Sequence, residues 1–120
     1  MVAPLISAQA LAERHRELRL FDARPGEKGL QAFTAGHLPG ALHADLESHL
    51  SGPVQDPARG GRHPLPAVEV FAAQLTRWGL HPGDPAVIYD DAGGANAAAR
   101  MWWMLRAMGH RQVQVLDGGL

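Results

Sequence analysis

Hydrophobic and polar positions along the chain follow two patterns, one typical of buried strands and one typical of helices. Four short apolar runs lie between turn residues and have the length of buried strands. Longer segments repeat apolar residues every three or four positions, which is the period of an amphipathic helix. The predicted strands are 20–23, 41–44, 86–89 and 113–116, and the predicted helices are 8–18, 67–78 and 95–108, with one further helical turn at 31–33.

The ends of these elements carry residues that start and stop helices. Ser7 can cap the first helix, and Gly79 and Gly109 follow the last apolar positions of the two later ones. The second predicted helix is expected to bury one apolar face, made of Val68, Phe71, Ala72, Leu75 and Trp78. Helices and strands in this order predict an α/β fold, in which helices cover both faces of a mostly parallel sheet. The 120 residues are enough for a single domain.

Charge and composition remove several classes of function. The 11 basic and 12 acidic residues nearly cancel, so there is no electrostatic basis for binding nucleic acid or an anionic membrane surface. The chain has no cysteine, which excludes disulfides, thiolate metal sites and a cysteine nucleophile within it. No apolar run approaches the roughly 18 residues of a membrane-spanning helix, so the expected location is the cytoplasm. The seven histidines lack the spacing of a metal-ligand pair on a helix, and no cofactor is expected.

Two adjacent carboxylates, Asp90 and Asp91, directly follow the predicted strand 86–89. Such a turn leads from the carboxyl end of a strand to the amino end of a helix, where ligands of parallel α/β folds bind. Either Asp90 caps the helix while Asp91 is solvated, or the pair holds a magnesium ion or accepts a phosphoryl group. The second interpretation needs further oxygen ligands, for which Asp22 is the obvious candidate, so the capping interpretation is preferred.

Four segments resemble, in order and at similar distances, the motifs of the rhodanese-like sulfurtransferases. They read LFDAR, AGHLPGALHAD, LTRWGLHPGDPAVIYDDAG and MWWMLRAMGHRQVQVLDGGL, and the resemblance covers the chain from Ser7 to its last residue. It implies a three-layer α/β domain whose central, mostly parallel sheet is flanked by helices. The Trp102-Trp103 pair is similar to the amino-terminal half of the two-domain enzymes that take sulfur from thiosulfate or 3-mercaptopyruvate.

The same resemblance implies that this half is catalytically silent. In the carboxyl-terminal half of such enzymes, a catalytic cysteine follows the strand that corresponds to 86–89, and Asp90 occupies that position here. A carboxylate cannot accept and pass on sulfane sulfur, and its charge repels anionic donors. The loop interpreted as inactive consists of Asp90, Asp91, Ala92, Gly93, Gly94 and Ala95.

Other residues of the resembling motifs are expected to be structural or to face a second domain. His37 is expected to tie neighbouring loops by hydrogen bonds, with Asp22 as a candidate partner. The structural motif comprises Asp22, Arg24, His37, Pro39, Gly40 and Ala41. Glu47 and His63 belong to the segment 45–66, which is long for a loop and rich in Gly, Pro, Ser and Asp. The resemblance places their counterparts at the cleft between two domains, where they could bind the donor, shuttle a proton or simply be solvated.

The two tryptophans are adjacent on a predicted helix and therefore cannot face the same way. One is expected in the core and the other at a domain interface, where an exposed tryptophan would anchor a partner. The alternative is that both are mostly buried.

The leading hypothesis is a non-catalytic amino-terminal domain of a sulfurtransferase, which moves sulfane sulfur from thiosulfate or 3-mercaptopyruvate to an acceptor such as cyanide. Its expected partner is the catalytic carboxyl-terminal domain of the same polypeptide, because the chain ends within LDGG, before the closing helix that the resemblance implies. Without a cysteine, the chain alone is predicted to be inactive. The alternatives are a free-standing inactive module that binds a protein or an anion, and a phosphate- or metal-dependent enzyme that uses Asp90 and Asp91.

Overall fold

The computed structural model describes residues 2–53, 63–92 and 97–119. Within these ranges five strands form one sheet, and each neighbouring pair in it is parallel. They are β1 (Leu5–Ile6), β2 (Arg19–Asp22), β3 (Leu42–His43), β4 (Ala86–Tyr89) and β5 (Val113–Leu116), and their order across the sheet is β1-β5-β4-β2-β3. Parallel neighbours need crossover connections, which the helices supply. The predicted α/β fold is confirmed.

The described ranges contain four helices, which are α1 (Ala8–Arg14), α2 (Gly26–Ala35), α3 (Val68–Arg77) and α4 (Ala97–Ala107). The hydroxyl of Ser7 accepts a hydrogen bond of 3.1 Å from the amide of Ala10, which confirms the predicted cap of α1. This helix ends earlier than predicted, because the chain then tightens into a turn in which the amide of Glu17 donates to the carbonyl of Arg14. Among these helices, none is long and apolar enough to cross a membrane.

Helix α2 is much longer than the single turn that the sequence predicts. Two glycines, Gly26 and Gly29, interrupt its apolar pattern. Gly29 is buried against the carbonyl group of Arg24, and a Cβ atom at this position would clash with that oxygen. Gly29 therefore interrupts the apolar pattern of α2, but it also allows the helix to pack closely on the segment that precedes it.

The two faces of the sheet bury separate clusters, because side chains alternate along each strand. Leu20 and Val87 belong to a smaller cluster that includes residues of α1, whereas Phe21 and Ile88 belong to a larger one that includes residues of α3 and α4. All four residues of β4 are buried, as expected for a strand covered on both sides. Helices on both faces, as predicted, enclose the sheet.

Two further features differ from the sequence prediction. The pattern does not predict β1, whose two residues pair with β5 near the other end of the chain. The predicted apolar face of α3 is also only partly buried. Phe71 is 2% exposed, but Val68 is 65% exposed, because the first turn of the helix extends beyond the core.

Candidate functional site

The carboxyl ends of β2, β3 and β4 lie side by side at one edge of the sheet. In the register of these strands, Asp22 is paired with His43 on one side and with Tyr89 on the other. The segments that follow the three strands carry most of the residues that the sequence singles out. This edge is therefore the candidate site.

The carboxylate of Asp90 is completely buried at the start of the turn after β4. One oxygen accepts a hydrogen bond of 3.0 Å from the amide of Ala92, and the other accepts one of 3.0 Å from the amide of Ala98 in the first turn of α4. Asp91, in contrast, is exposed. This geometry agrees with the capping interpretation, in which the carboxylate satisfies backbone amides and offsets the positive end of the helix. Gly93, Gly94 and Ala95 lie outside the described residues.

The carboxylate of Asp22 is bound by the side chain of an arginine and is not placed to ligate a metal ion. Both of its oxygens accept from Arg24, at 3.1 and 3.0 Å from Nε and 2.6 Å from Nη2. This hydrogen bonding to the carboxylate raises the pKa of Arg24 above its ordinary value. The magnesium interpretation takes Asp22 as a third ligand, but its lone pairs are directed at a guanidinium. Arg24 also donates to the carbonyl of Gly36 at 2.7 Å, which ties the end of β2 to the end of α2.

His37 is exposed and packs locally. Its Nδ1 lies 2.7 Å from the carbonyl oxygen of Phe33, and its ring stacks on the Phe33 ring with 3.8 Å between centroids. The suggested bond to Asp22 is wrong, because the Asp22 carboxylate faces Arg24. The contacts of His37 are those of a residue that ends α2 and starts the following turn.

The turn at Pro39-Gly40 leads from α2 into β3, beside the candidate site. Gly40 has a φ of +80°, a backbone conformation that favours glycine, and the amide of Ala41 donates to the carbonyl of Leu38 at 3.0 Å. The hydroxyl of Tyr89 accepts from the amide of Leu38 at 3.1 Å. Burial raises the pKa of this phenol to about 12. A hydrogen bond thus joins the turn at Pro39-Gly40 to the last residue of β4.

Glu47 and His63 are brought together, although they are distant in the sequence. His63 Nε2 lies 3.6 Å from Glu47 Oε1, with side-chain exposures of 31% and 75%. Glu47 lies in a turn closed by Asp45, whose carbonyl accepts from the amide of His49 at 2.9 Å and whose carboxylate accepts from the amide of Ser48 at 2.8 Å. The pair combines an exposed carboxylate with a partly exposed imidazole, so both groups are accessible to a ligand.

Arg100 is a residue that the sequence reasoning missed. From α4 its Nε donates to the carbonyl of Leu50 at 2.9 Å, and its Nη2 donates to the carbonyl of His63 at 2.6 Å. The available signal was a single arginine in the otherwise apolar start of α4, which reads AAARMWW. A cation in the first half of a helix gains nothing from the helix dipole, so its place indicated a partner outside the helix.

The adjacent tryptophans of α4 have different environments. Trp102 packs against the larger core cluster, and its indole N–H donates to the carbonyl of Val113 at 3.1 Å. Trp103 is 52% exposed and lines a shallow apolar groove. Other residues of this groove are Leu65, Val68, Phe71, Met104 and Met108. The expected division is observed in part, because Trp102 packs against the core while Trp103 is exposed, and the alternative that both are mostly buried is wrong. The place of Trp103 at a domain interface stays a prediction.

Comparison with known proteins agrees with this architecture. A family model described as a rhodanese-like domain matches residues 7–120. A Pseudomonas aeruginosa protein named "Probable 3-mercaptopyruvate sulfurtransferase" is 44% identical over 98% of this chain and 43% of its own length. Thiosulfate/3-mercaptopyruvate sulfurtransferase 2 of Arabidopsis thaliana is 43% identical over 76% of this chain and 25% of its own length.

A solved structure extends the likeness to three dimensions. The 3-mercaptopyruvate sulfurtransferase from Leishmania major superposes with a TM-score of 0.86 at 30% identity, over 96% of this chain and 32% of that one. The chain thus spans less than half the length of these relatives. The ordered motifs, the parallel sheet and the family match lead to one conclusion, that the chain belongs to the rhodanese-like domain family.

Proposed function

We propose that this chain is the non-catalytic amino-terminal domain of a sulfurtransferase that uses 3-mercaptopyruvate or thiosulfate. The observation that carries the proposal is the buried carboxylate of Asp90 at the end of β4. Where the resemblance requires a thiolate that accepts sulfur, an oxygen pair is bound to the amides of Ala92 and Ala98. Those amides already neutralise one anion, so they do not stabilise a second negative charge on a donor.

In this proposal the catalytic cysteine belongs to a carboxyl-terminal domain of the same polypeptide, in the cytoplasm. Support comes from the relatives, whose lengths are more than twice the part that this chain covers. The cysteine would take sulfane sulfur from the donor and pass it to cyanide or a thiol. This chain would form the opposite wall of the cleft.

Glu47 and His63 are the residues of this wall best suited to act on the donor. Their side chains are accessible, and the 3.6 Å between His63 Nε2 and Glu47 Oε1 places the two groups close enough for one donor molecule to contact both. A protonated imidazole attracts the carboxylate of mercaptopyruvate or the charge of thiosulfate, and a neutral one accepts a proton. The resemblance assigns this pair to the cleft, so its role requires the second domain.

The first experiment measures thiocyanate formation from cyanide with each donor. The 120-residue chain is expected to give no turnover, because it has no sulfur-accepting thiol. The protein translated from the complete reading frame is expected to turn over, and a single cysteine-to-serine exchange in its second domain should abolish this activity. Turnover by the chain alone, or an inactive complete protein, would contradict the proposal.

A second candidate function is a free-standing inactive module that binds a partner protein. The exposed Trp103 and the apolar groove beside it favour this alternative, since aromatic side chains often anchor protein interfaces. The two proposals differ in the gene sequence after the codon for Leu120. A following segment with a cysteine after a predicted strand supports the sulfurtransferase, whereas a stop codon supports the module.

A further inference from the structure

The segment that contains Glu47 and His63 is held at two points by one side chain of α4. The guanidinium of Arg100 donates to the carbonyl oxygen of Leu50 at 2.9 Å and to that of His63 at 2.6 Å. Both acceptors are backbone groups, so the contacts constrain the path of the chain rather than one side-chain rotamer. Hydrogen bonds from a charged donor are also stronger than neutral ones.

The helix that carries Arg100 is itself fixed. The neighbouring residues Ala98 and Met101 are 0% exposed and belong to the larger core cluster. Arg100 is half-buried, and burial lowers its pKa from the ordinary value, although an arginine remains charged in proteins. Its guanidinium therefore acts as a rigid cationic fork that projects from the core.

A further hydrogen bond lies directly beside the two held carbonyls. The amide of Gly52 donates to the carbonyl of Pro64 at 2.8 Å, so the residues that follow Leu50 contact those that follow His63. A Cβ atom at Gly52 would be 3.0 Å from the carbonyl oxygen of Leu65, so the backbones at these two positions are closely packed. Leu50 is 0% exposed and anchors one side of this contact in the core.

The effect of these contacts is to set the distance between the two polar side chains. Glu47 precedes Leu50 in the same turn, and the amide of Leu50 donates to the carbonyl of Asp45 at 3.2 Å. His63 itself provides the second carbonyl. Among the contacts of the described residues, those that would still hold His63 near Glu47 without the fork are the hydrogen bond from Gly52 to Pro64 and the solvent-accessible contact between His63 and Glu47, which contributes little.

We propose that Arg100 is a positioning residue that holds His63 beside Glu47 for the sulfur-transfer reaction. The inference rests on the proposed function for its purpose, but its geometric part stands on this chain alone. Two N–H donors of Arg100 are bound to backbone carbonyls, and in this proposal the residue acts through the pair that these carbonyls position.

The geometric part is tested by NMR on the 120-residue chain with Arg100→Gln. The amide of Gly52 is expected to exchange about tenfold faster, and the cross-relaxation between the side chains of His63 and Glu47 should disappear. Arg106→Gln is the matched control, because it removes an arginine from the same helix that lies over Trp102 instead. Both signals should stay unchanged in the control. Unchanged signals in folded Arg100→Gln would overturn the proposal.

Arg100→Lys keeps the charge and is used if the glutamine variant fails to fold. An ammonium group cannot reproduce the two-pronged geometry, so an intermediate increase in Gly52 exchange is expected. Wild-type exchange in this variant would contradict the need for a fork.

The catalytic part is tested in the protein translated from the complete reading frame. Arg100→Gln is expected to lower kcat/KM by about 100-fold, as misplacement of a reacting group by 1 Å does. In a His63→Ala background the same substitution should have little further effect. An equal loss in both backgrounds would show that Arg100 acts independently of the pair and would overturn the proposal. If the Arg100→Gln chain shows the expected NMR changes but the complete wild-type protein has no transferase activity, the proposed function is removed and the positioning role remains supported.

Discussion

Two regions at the same edge of the sheet carry charged residues in opposite states. At the ends of β2 and β4, the side chains of Asp22, Arg24 and Asp90 are buried, and each makes hydrogen bonds within the fold. In the neighbouring segment, Glu47 and His63 are accessible and lie 3.6 Å apart. We call these the closed region and the open region.

The difference indicates where chemistry is available. A buried charge must be fully paired, and once it is paired its lone pairs or protons are no longer available to a ligand. An accessible pair contributes little to stability and can exchange its partners for a substrate. Stability should therefore depend on the closed region, and activity on the open one.

The largest effect is expected from Asp22→Ala, which leaves the guanidinium of Arg24 buried without its bidentate partner. The free energy of unfolding should fall by about 3–5 kcal/mol, as measured by urea denaturation. Glu17→Ala is the control, since it breaks an exposed pair with Arg14 and should cost less than about 1 kcal/mol. Similar losses in the two variants would remove the distinction between buried and surface pairs.

The next effect is a loss of stability at alkaline pH. The pKa of Tyr89 is raised by burial to about 12 in the folded state, against an ordinary 10.0. Between these two values the unfolded phenol ionises first, so the free energy of unfolding should fall by about 2–3 kcal/mol. Urea denaturation at a series of pH values should show this fall in the wild type and not in Tyr89→Phe. A parallel fall in both proteins would assign it to other groups.

A smaller loss is expected from Asp90→Ala, which removes the acceptor of two amides. The cost should be about 1–3 kcal/mol, because the amides of Ala92 and Ala98 lose their partner in the fold. Asp91→Ala changes an exposed side chain and should alter the free energy of unfolding by no more than about 0.5 kcal/mol. If thermal unfolding gave the reverse order, Asp90 would not be the capping residue.

The smallest effect on stability is expected in the open region. Glu47→Gln should change the free energy of unfolding by less than about 1 kcal/mol, because the carboxylate is mostly exposed. The same variant should lower the transferase activity of the complete protein, with the rate of thiocyanate formation as the measurement. A strongly destabilised chain with unchanged activity would show that Glu47 is structural. It would contradict the assignment of stability to the closed region and activity to the open one.

Sequence reasoning succeeded where the signal is local. Short apolar runs between turn residues predicted the strands at 86–89 and 113–116 with the bounds that the structure has. The cap at Ser7 depends on residues three positions apart, and it is observed. The division between Trp102 and Trp103 follows from helix geometry alone.

The misses depend on contacts between distant residues. The strand β1 exists because Leu5 pairs with Val115, and two residues carry no period of their own. Helix α2 contains Gly29, which packs closely on Arg24, and this contact cannot be read from the apolar pattern. Where the sequence suggested Asp22 as a partner of His37, the tertiary arrangement gave Asp22 to Arg24 instead.

The sequence by itself determined the α/β fold, the family and the presence of the Asp90 carboxylate at the end of β4, because periodicity, motif order and residue chemistry are properties of the chain. Only the tertiary structure decided which polar groups are closed and which are open. It buried Asp90 against amides, and it placed Glu47 beside His63 through the contacts of Arg100. The physical reason is that burial and pairing arise from groups that meet only after the chain has folded.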